Sequence, residues 1–132
     1  MAYETDPAGA LSYPPEHGMT KVIGEIKKWL EGRGFDLTDR EIFLTPGSGP
    51  GMDVMANAFC NEGDVILTEE FSYPGIMGAA RMTGAKIVSV KNDPDGINLE
   101  ELDAKAAEFH PKFLYIIPTF SNPCGKIGRA HV

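Results

Sequence analysis

Short apolar runs that carry no polar face recur along this chain, and a helical pattern separates each from the next. The runs cover residues 41–45, 64–70, 86–91 and 113–120. A strand with apolar side chains on both faces has to be covered on both faces, as in a parallel sheet flanked by helices. The sequence therefore predicts an α/β fold, namely part of a doubly wound, mostly parallel sheet with helices on both faces.

Helical spacing of apolar residues predicts the helices between these runs. The first helix ends at Gly32 and Gly34, the second runs from residue 52 to Gly63, and the third ends at Gly84. Asn98 is a candidate N-cap for the fourth. The predicted core-facing residues of the first helix are Val22, Ile26, Trp29 and Leu30. Those of the second are Met52, Met55, Ala56 and Phe59, and those of the fourth are Leu99, Leu102 and Ala106.

Composition narrows the possible functions. The chain has 132 residues, a hydrophobic fraction of 42% and a net charge of −7 without a Lys/Arg cluster. This charge argues against nucleic acid or an anionic membrane as a partner. No apolar run approaches the roughly 20 residues of a membrane span, and no secretory signal is visible, so the prediction is a cytoplasmic protein. Cys60 and Cys124 match no metal-ligand spacing and are predicted to be reduced thiols.

Three strand ends carry residues that suit a ligand, since α/β sheets bind ligands at the carboxyl ends of their strands. After the first predicted strand, Gly47, Ser48 and Gly49 begin a glycine-rich turn that could surround a phosphate with N–H groups ahead of a helix. The turn lacks the lysine of a P-loop and departs from the dinucleotide fingerprint. The alternative is a tight strand–helix turn that needs small residues.

An aromatic ring and an amide follow the second and fourth predicted strands. Tyr73 could stack on a flat ligand ring, or it could be a packed loop aromatic. The Asn122 side chain could donate to a phenolate oxygen, or it could cap its own turn. A phosphorylated aromatic ring would use the phosphate turn, the ring and the amide together. Pyridoxal phosphate is a molecule of this kind.

The segments "LTPGSGPGMD", "TEEFSYPG" and "IIPTFSNPCG", in this order, resemble the fold-type I, class I/II pyridoxal-phosphate aminotransferases. The resemblance extends over about residues 8–125 and is strongest to 2-aminoadipate, kynurenine and aromatic aminotransferases. It implies the cofactor pyridoxal 5′-phosphate, amino-acid and 2-oxo acid substrates, a homodimer, and transfer of an amino group between the substrates.

The resemblance also implies roles for single residues. It places Tyr13 at the cofactor phosphate of the neighbouring subunit and Asn122 at the phenolic oxygen of the cofactor. Tyr73 corresponds to the aromatic residue that stacks on the cofactor ring. The phosphate-binding turn corresponds to Gly47, Ser48 and Gly49.

Three departures from the family pattern concern the same site. Pro50, which has no N–H group, stands where relatives have a glutamine, so the phosphate turn loses one possible donor. Ile23 stands where relatives often have an arginine. Cys124 replaces the threonine of the family's Asn-Pro-Thr-Gly turn, which is a small-for-small change.

The resemblance also divides the chain. Residues 1–20 are predicted to be a loop segment and residues 21–125 part of the large, cofactor-binding domain. Residues 126–132 are predicted to be a non-native tail, because Ile127–Val132 matches the translation of a common sequencing-library adapter followed by a stop. In the family the Schiff-base lysine lies beyond the Asn-Pro-Thr-Gly turn. The chain is therefore predicted to be an inactive fragment without a catalytic residue.

Three alternatives stay open from the sequence. The chain could be a truncated, non-catalytic isoform that pairs with full-length subunits. It could be a nucleotide-binding α/β domain that uses residues 47–51, and such a domain would retain nucleotide and ignore pyridoxal phosphate. The parent could also be a transcription factor with a fused aminotransferase-like domain.

Overall fold

A computed structural model describes residues 2–125 and residue 127. The rest of the predicted tail, residue 126 and residues 128–132, lies outside the described residues. The chain divides into two compact units, Met1–Pro46 and Gly47–Val132.

The first unit contains three helices, α1 (Ala2–Thr5), α2 (Pro7–Ala10) and α3 (Thr20–Glu31). The helix α3 confirms the first predicted helix, but its predicted apolar face is partly wrong. Ile26 and Leu30 are half-buried as expected, whereas Val22 and Trp29 are 42% and 56% exposed. Ile23 takes the position of Val22 on the half-buried face. The Trp29 ring is instead covered by the guanidinium of Arg33, which lies 3.8 Å from the ring centroid.

The predicted strand at residues 41–45 is wrong. The segment is irregular, although Ile42 and Leu44 are half-buried and their neighbours are exposed. The Leu44 N–H group donates to the His17 carbonyl at 3.0 Å, and the Phe43 ring packs edge-on against His17. The burial alternates as in a strand, but the segment is not part of either described sheet. A strand is defined by its pairing, so alternation alone does not make one.

The second unit is built on a parallel sheet of three strands, β1 (Val65–Glu69), β2 (Lys86–Val90) and β5 (Phe113–Tyr115), in the order β2-β1-β5. Two short antiparallel strands, β3 (Asn92–Asp93) and β4 (Gly96–Ile97), lie at the predicted turn. The helices are α4 (Ser48–Phe59), α5 (Pro74–Thr83) and α6 (Leu99–Phe109). The predicted α/β class with a parallel sheet is confirmed.

Some boundaries differ from the prediction. The helix α4 begins at Ser48 rather than Met52, so the glycine-rich stretch forms its first turn. It ends at Phe59, before Gly63. The last strand is shorter than predicted, because β5 pairs with β1 over three residues only.

The predicted ends of the helices agree with the structure better than their predicted buried faces do. Gly84, with φ +73°, ends α5 as predicted, because glycine adopts this conformation without steric cost. Asn98 is the N-cap of α6 and accepts a hydrogen bond from the Glu101 N–H group at 2.7 Å. Leu99 of α6 is 56% exposed, contrary to prediction, and Met55 and Phe59 of α4 are likewise exposed.

The core lies between α4, α5 and one face of the sheet. Its buried members are Met52, Ala56, Cys60, Ile66, Ile76, Ala79 and Ala80. The small alanines let the two helices approach each other closely. Leu67 and Val90, which lie outside this cluster, are also buried, so both faces of the sheet are covered. Burial raises the pKa of the Cys60 thiol, which belongs to this core.

The helices of the described ranges are short. The longest, α3 and α4, have 12 residues each. No helix in this part of the chain is long and apolar enough to cross a membrane.

Asp64 is expected to make folding sensitive to acid. Its carboxylate accepts the Asn61 N–H group at 2.8 Å and lies 3.6 Å from the Lys112 ammonium. The Asn61 hydrogen bond above all, together with the Lys112 charge, holds the Asp64 pKa below its usual value of 3.8. A lowered folded-state pKa stabilises the fold above the unfolded-state value. This stabilisation is lost as the pH falls through the folded-state value.

Asp64→Asn is therefore expected to lower the urea midpoint at pH 7 and to flatten its decline below about pH 4. The control is the exposed Asp103, where Asp103→Asn should leave both quantities near those of the unmodified chain. Parallel pH profiles for the Asp64 variant and the unmodified chain would contradict this role.

Candidate functional site

The start of α4 offers an open site for an anion. Gly47, the N-cap, has φ +93°, a conformation that favours glycine. The N–H groups of Ser48 and Gly49, the first two helical residues, have no acceptor within the helix, and the helix dipole places partial positive charge at this end. A Cβ atom added at Gly47 or Gly49 would meet no atom within 4 Å. Space is therefore open around the α-carbons of these two glycines.

Tyr73 lies at the start of α5, four residues after the end of β1. It is the N-cap residue of the helix and is 38% exposed. A Cβ atom added at Gly75 would lie 2.6 Å from the Tyr73 ring and 2.6 Å from Met52 Cε of α4. The Met52 methyl group of α4 therefore packs against Gly75 in the first turn of α5, beside the tyrosine ring.

Asn122 lies in a turn after β5, and its side chain is exposed. The neighbouring Ser121 is 3% exposed, and its carbonyl accepts the Gly125 N–H group, which closes the turn. The peptide bond between Asn122 and Pro123 is cis. Cys124 is exposed. Because β1 and β5 are parallel, the segments that carry Tyr73 and Asn122 leave the sheet at the same edge.

A second tyrosine and a carboxylate lie at this edge. Burial raises the pKa of the Tyr115 phenol, and the neighbouring Tyr73 and Glu69 raise it further. Glu69 is 6% exposed, and its carboxylate accepts the Ile117 N–H group at 3.0 Å.

Five of the six predicted cofactor residues belong to the second unit. The helix that begins at the phosphate turn packs against the helix that begins after Tyr73, and Asn122 lies in a turn seven residues after the end of β5. Tyr13 belongs to the first unit and is 99% exposed. Sequence reasoning missed Glu69, because an acidic residue at the end of an apolar strand is usually exposed to solvent.

The donor set fits pyridoxal phosphate. The helix start carries N–H groups without a helical acceptor, and the space beside them is open for the phosphate. Tyr73 offers a partly exposed ring for stacking, and Asn122 offers an exposed amide for an oxygen of the cofactor ring. These assignments stay predictions for Tyr13, Gly47, Ser48, Gly49, Tyr73 and Asn122.

Similar curated proteins are aminotransferases. The chain is 32% identical over 116 residues to a 2-aminoadipate transaminase of Thermus thermophilus, covering 88% of this chain and 28% of the relative. It is 30% identical over 128 residues to aromatic-amino-acid aminotransferase 1 of Thermococcus litoralis, covering 92% of this chain and 31% of the relative. The chain therefore spans about a third or less of the length of these relatives.

A solved structure shares the fold. The α-aminoadipate aminotransferase LysN of Thermus thermophilus, complexed with N-(5′-phosphopyridoxyl)-L-leucine, superposes with a TM-score of 0.85 at 29% identity. The match covers 98% of this chain and 32% of LysN. The family model for aminotransferase class I and II matches residues 4–130. The chain therefore belongs to the class I and II aminotransferase family.

Proposed function

We propose that this chain is the cofactor-binding part of a pyridoxal-phosphate-dependent aminotransferase. The full protein would transfer an amino group between an amino acid, such as an aromatic amino acid or 2-aminoadipate, and a 2-oxo acid. It would work as a cytoplasmic homodimer. The observation that carries the proposal is the glycine-rich start of α4 at Gly47, in a helix that packs through Met52 against Gly75, beside the Tyr73 ring. The named relatives support the reaction class.

Each residue of the site would contribute a different interaction. The Ser48 and Gly49 N–H groups and the Ser48 hydroxyl would bind the phosphate, with one donor fewer because Pro50 is the third helical residue. The Tyr73 ring would stack on the cofactor ring, and the Asn122 amide would donate to its phenolic oxygen. Tyr13 of the partner subunit would reach the phosphate. When bound, the cofactor supplies an electron sink for the amino-acid substrate.

None of the described lysines of the second unit lies in a segment that carries a predicted cofactor ligand. Lys86 and Lys112 lie at the amino ends of β2 and β5, at the opposite edge of the sheet. Lys105 pairs with Glu101 at 2.6 Å. Lys91 follows β2, and its backbone donates to the Glu101 carboxylate. We therefore propose that the 132-residue chain binds pyridoxal phosphate without turnover.

Titration of the chain with pyridoxal phosphate, followed by absorbance and tyrosine fluorescence, tests the proposal. Asn122→Ala is expected to weaken binding about tenfold, since a hydrogen bond to a charged oxygen is lost. The control is Asn57→Ala, which removes an exposed asparagine of α4 in the same unit and should not change the affinity. Equal affinities for the two variants would contradict the role of Asn122. Retention of nucleotide, with no response to pyridoxal phosphate, would favour the nucleotide-binding alternative.

A further inference from the structure

Glu69 is a buried carboxylate to which neither the family resemblance nor the proposed mechanism gives a task. It is the last residue of β1 and is 6% exposed. Burying a carboxylate is unfavourable unless its charge is met by hydrogen bonds. The Glu69 carboxylate accepts a hydrogen bond at 3.0 Å from the backbone N–H group of Ile117, which lies 48 residues later in the chain. The Glu69 side chain therefore binds the backbone that leaves β5.

The hydrogen bond between Glu69 and Ile117 lies just beyond the last paired residues of β1 and β5. The β1–β5 ladder runs from Ile66↔Phe113 to Thr68↔Tyr115 and goes no further. Ile117 lies two residues beyond it, and the next residue, Pro118, has no N–H group to donate. The Glu69 carboxylate thus extends the connection between β1 and the chain after β5 past the last paired residues.

The segment that Glu69 binds leads directly to the predicted cofactor ligand. From Ile117 the chain runs without regular structure to Ser121, which is buried, and then to the exposed Asn122. Phe120 has φ +52°, which turns the chain sharply just before the buried serine. The segment is therefore held near its start by Glu69 and at its end by burial of Ser121.

The other predicted ligand of this edge depends on the same strand end. Tyr73 follows Glu69 by four residues, so the Glu69 backbone fixes the start of the loop that carries the tyrosine. The Glu69 side chain fixes the start of the segment that carries the asparagine. We propose that Glu69 is a positioning residue that sets the placement of Asn122 relative to Tyr73 by holding the Ile117 N–H group. This inference rests on the proposed function, since it assigns cofactor contacts to both ligands.

Two substitutions of Glu69 distinguish the effect of its hydrogen-bond acceptor from the effect of its side-chain volume. Glu69→Gln keeps an oxygen that can accept the Ile117 N–H group, whereas Glu69→Leu has a similar size and no acceptor. The control is Ile66→Val, which removes a buried methyl group from the same strand without touching this hydrogen bond. The measurements are hydrogen exchange of the Ile117 amide, the NMR signals of the Asn122 side-chain amide, and the dissociation constant of pyridoxal phosphate.

Glu69→Leu is expected to accelerate exchange of the Ile117 amide by about tenfold or more, to shift the Asn122 amide signals, and to weaken pyridoxal phosphate binding by about tenfold. Glu69→Gln should restore exchange and affinity to within about threefold of the unmodified chain. Ile66→Val should lower stability and leave the Asn122 signals unchanged. If Glu69→Leu acted only by lowering the stability of the fold, Ile66→Val would shift the Asn122 signals as well.

The proposal is overturned if Glu69→Gln behaves like Glu69→Leu, or if Ile66→Val shifts the Asn122 signals as much as Glu69→Leu does. The exchange and NMR measurements need no cofactor. Suppose that the unmodified chain does not bind pyridoxal phosphate, but Glu69→Leu still accelerates exchange of the Ile117 amide and shifts the Asn122 amide signals. The proposed function then fails, and the positioning of Asn122 by Glu69 stands. If the unmodified chain binds pyridoxal phosphate but Glu69→Leu changes neither the Ile117 exchange nor the Asn122 signals, the positioning role fails and the proposed function stands.

Discussion

Ile66→Ala is expected to lower the free energy of unfolding by about 2–5 kcal/mol. Ile66 is fully buried on the central strand, in register with Ile87 on one side and Phe113 on the other. It belongs to the core cluster that α4 and α5 cover. Domains of this size are stable by only about 5–15 kcal/mol, so the loss would be a large fraction of the total. Urea denaturation followed by circular dichroism measures it.

Two graded controls make this result specific to the core. Ile66→Val removes one methyl group and should cost about 0.5–1.5 kcal/mol. Ile42→Ala alters an isoleucine of the first unit that is only half-buried, and it should cost less than Ile66→Ala. If Ile42→Ala and Ile66→Ala were equally destabilising, the core of the fold would not lie between the helices and the central strand.

Gly75→Ala is expected to weaken pyridoxal phosphate binding by about threefold to tenfold, the size of an aromatic stacking contribution. The added Cβ atom would lie 2.6 Å from the Tyr73 ring and 2.6 Å from Met52 Cε. Both side chains have to move, and moving Met52 disturbs the buried cluster. We therefore also expect a loss of about 1–3 kcal/mol of stability, as for other overpacked sites. Ligand titration and urea denaturation of the same variant report the two effects.

The matched control lies one helical turn away. Gly78 is in the same helix, and a Cβ atom added there would meet no atom within 4 Å. Gly78→Ala is expected to raise stability by about 0.4–1 kcal/mol, because alanine has less conformational freedom to lose in a helix. Its cofactor affinity should not change. The two glycine variants should thus move stability in opposite directions, and a shift in the same direction would refute the contact at Gly75.

Elements with strong local signals were predictable from the sequence. The strand β1 is a dense apolar run, and the end of α5 at Gly84 and the start of α6 at Asn98 are clearly marked. These signals act within a few residues, so they do not depend on the rest of the fold.

Features that depend on distant partners were not predictable in the same way. The run at residues 41–45 has the apolar content of a strand but no place in the described sheets. The length of β5 depends on its register against β1, which no local pattern encodes. Trp29 of α3 and Met55 of α4 are exposed, contrary to prediction, because apolar residues extend around both helices and packing decides which side is buried.

The residues of the candidate site differ in the same way, since some have a local sequence signal and one depends on a distant partner. Short motifs at predicted strand ends indicate the phosphate turn, Tyr73 and Asn122. The first two lie at helix starts, whereas Asn122 lies in a turn seven residues after the end of β5. Their contacts with a cofactor stay predictions. No local motif indicates Glu69, because its significance comes from a hydrogen bond to a residue 48 positions away. A bond of that kind is visible only after the chain has folded.

The unequal surroundings of the two cysteines provide a built-in reporter of unfolding. Cys124 is exposed, whereas Cys60 is 7% exposed in the core, where its raised pKa keeps the thiol protonated. The thiolate is the form that attacks the carbon of an alkylating reagent and displaces its leaving group, so the native chain should be labelled at the exposed Cys124 first. Labelling of Cys60 then requires the helices to separate from the sheet. The ratio of the two labelling rates would follow the opening of the core under native conditions, without an engineered cysteine.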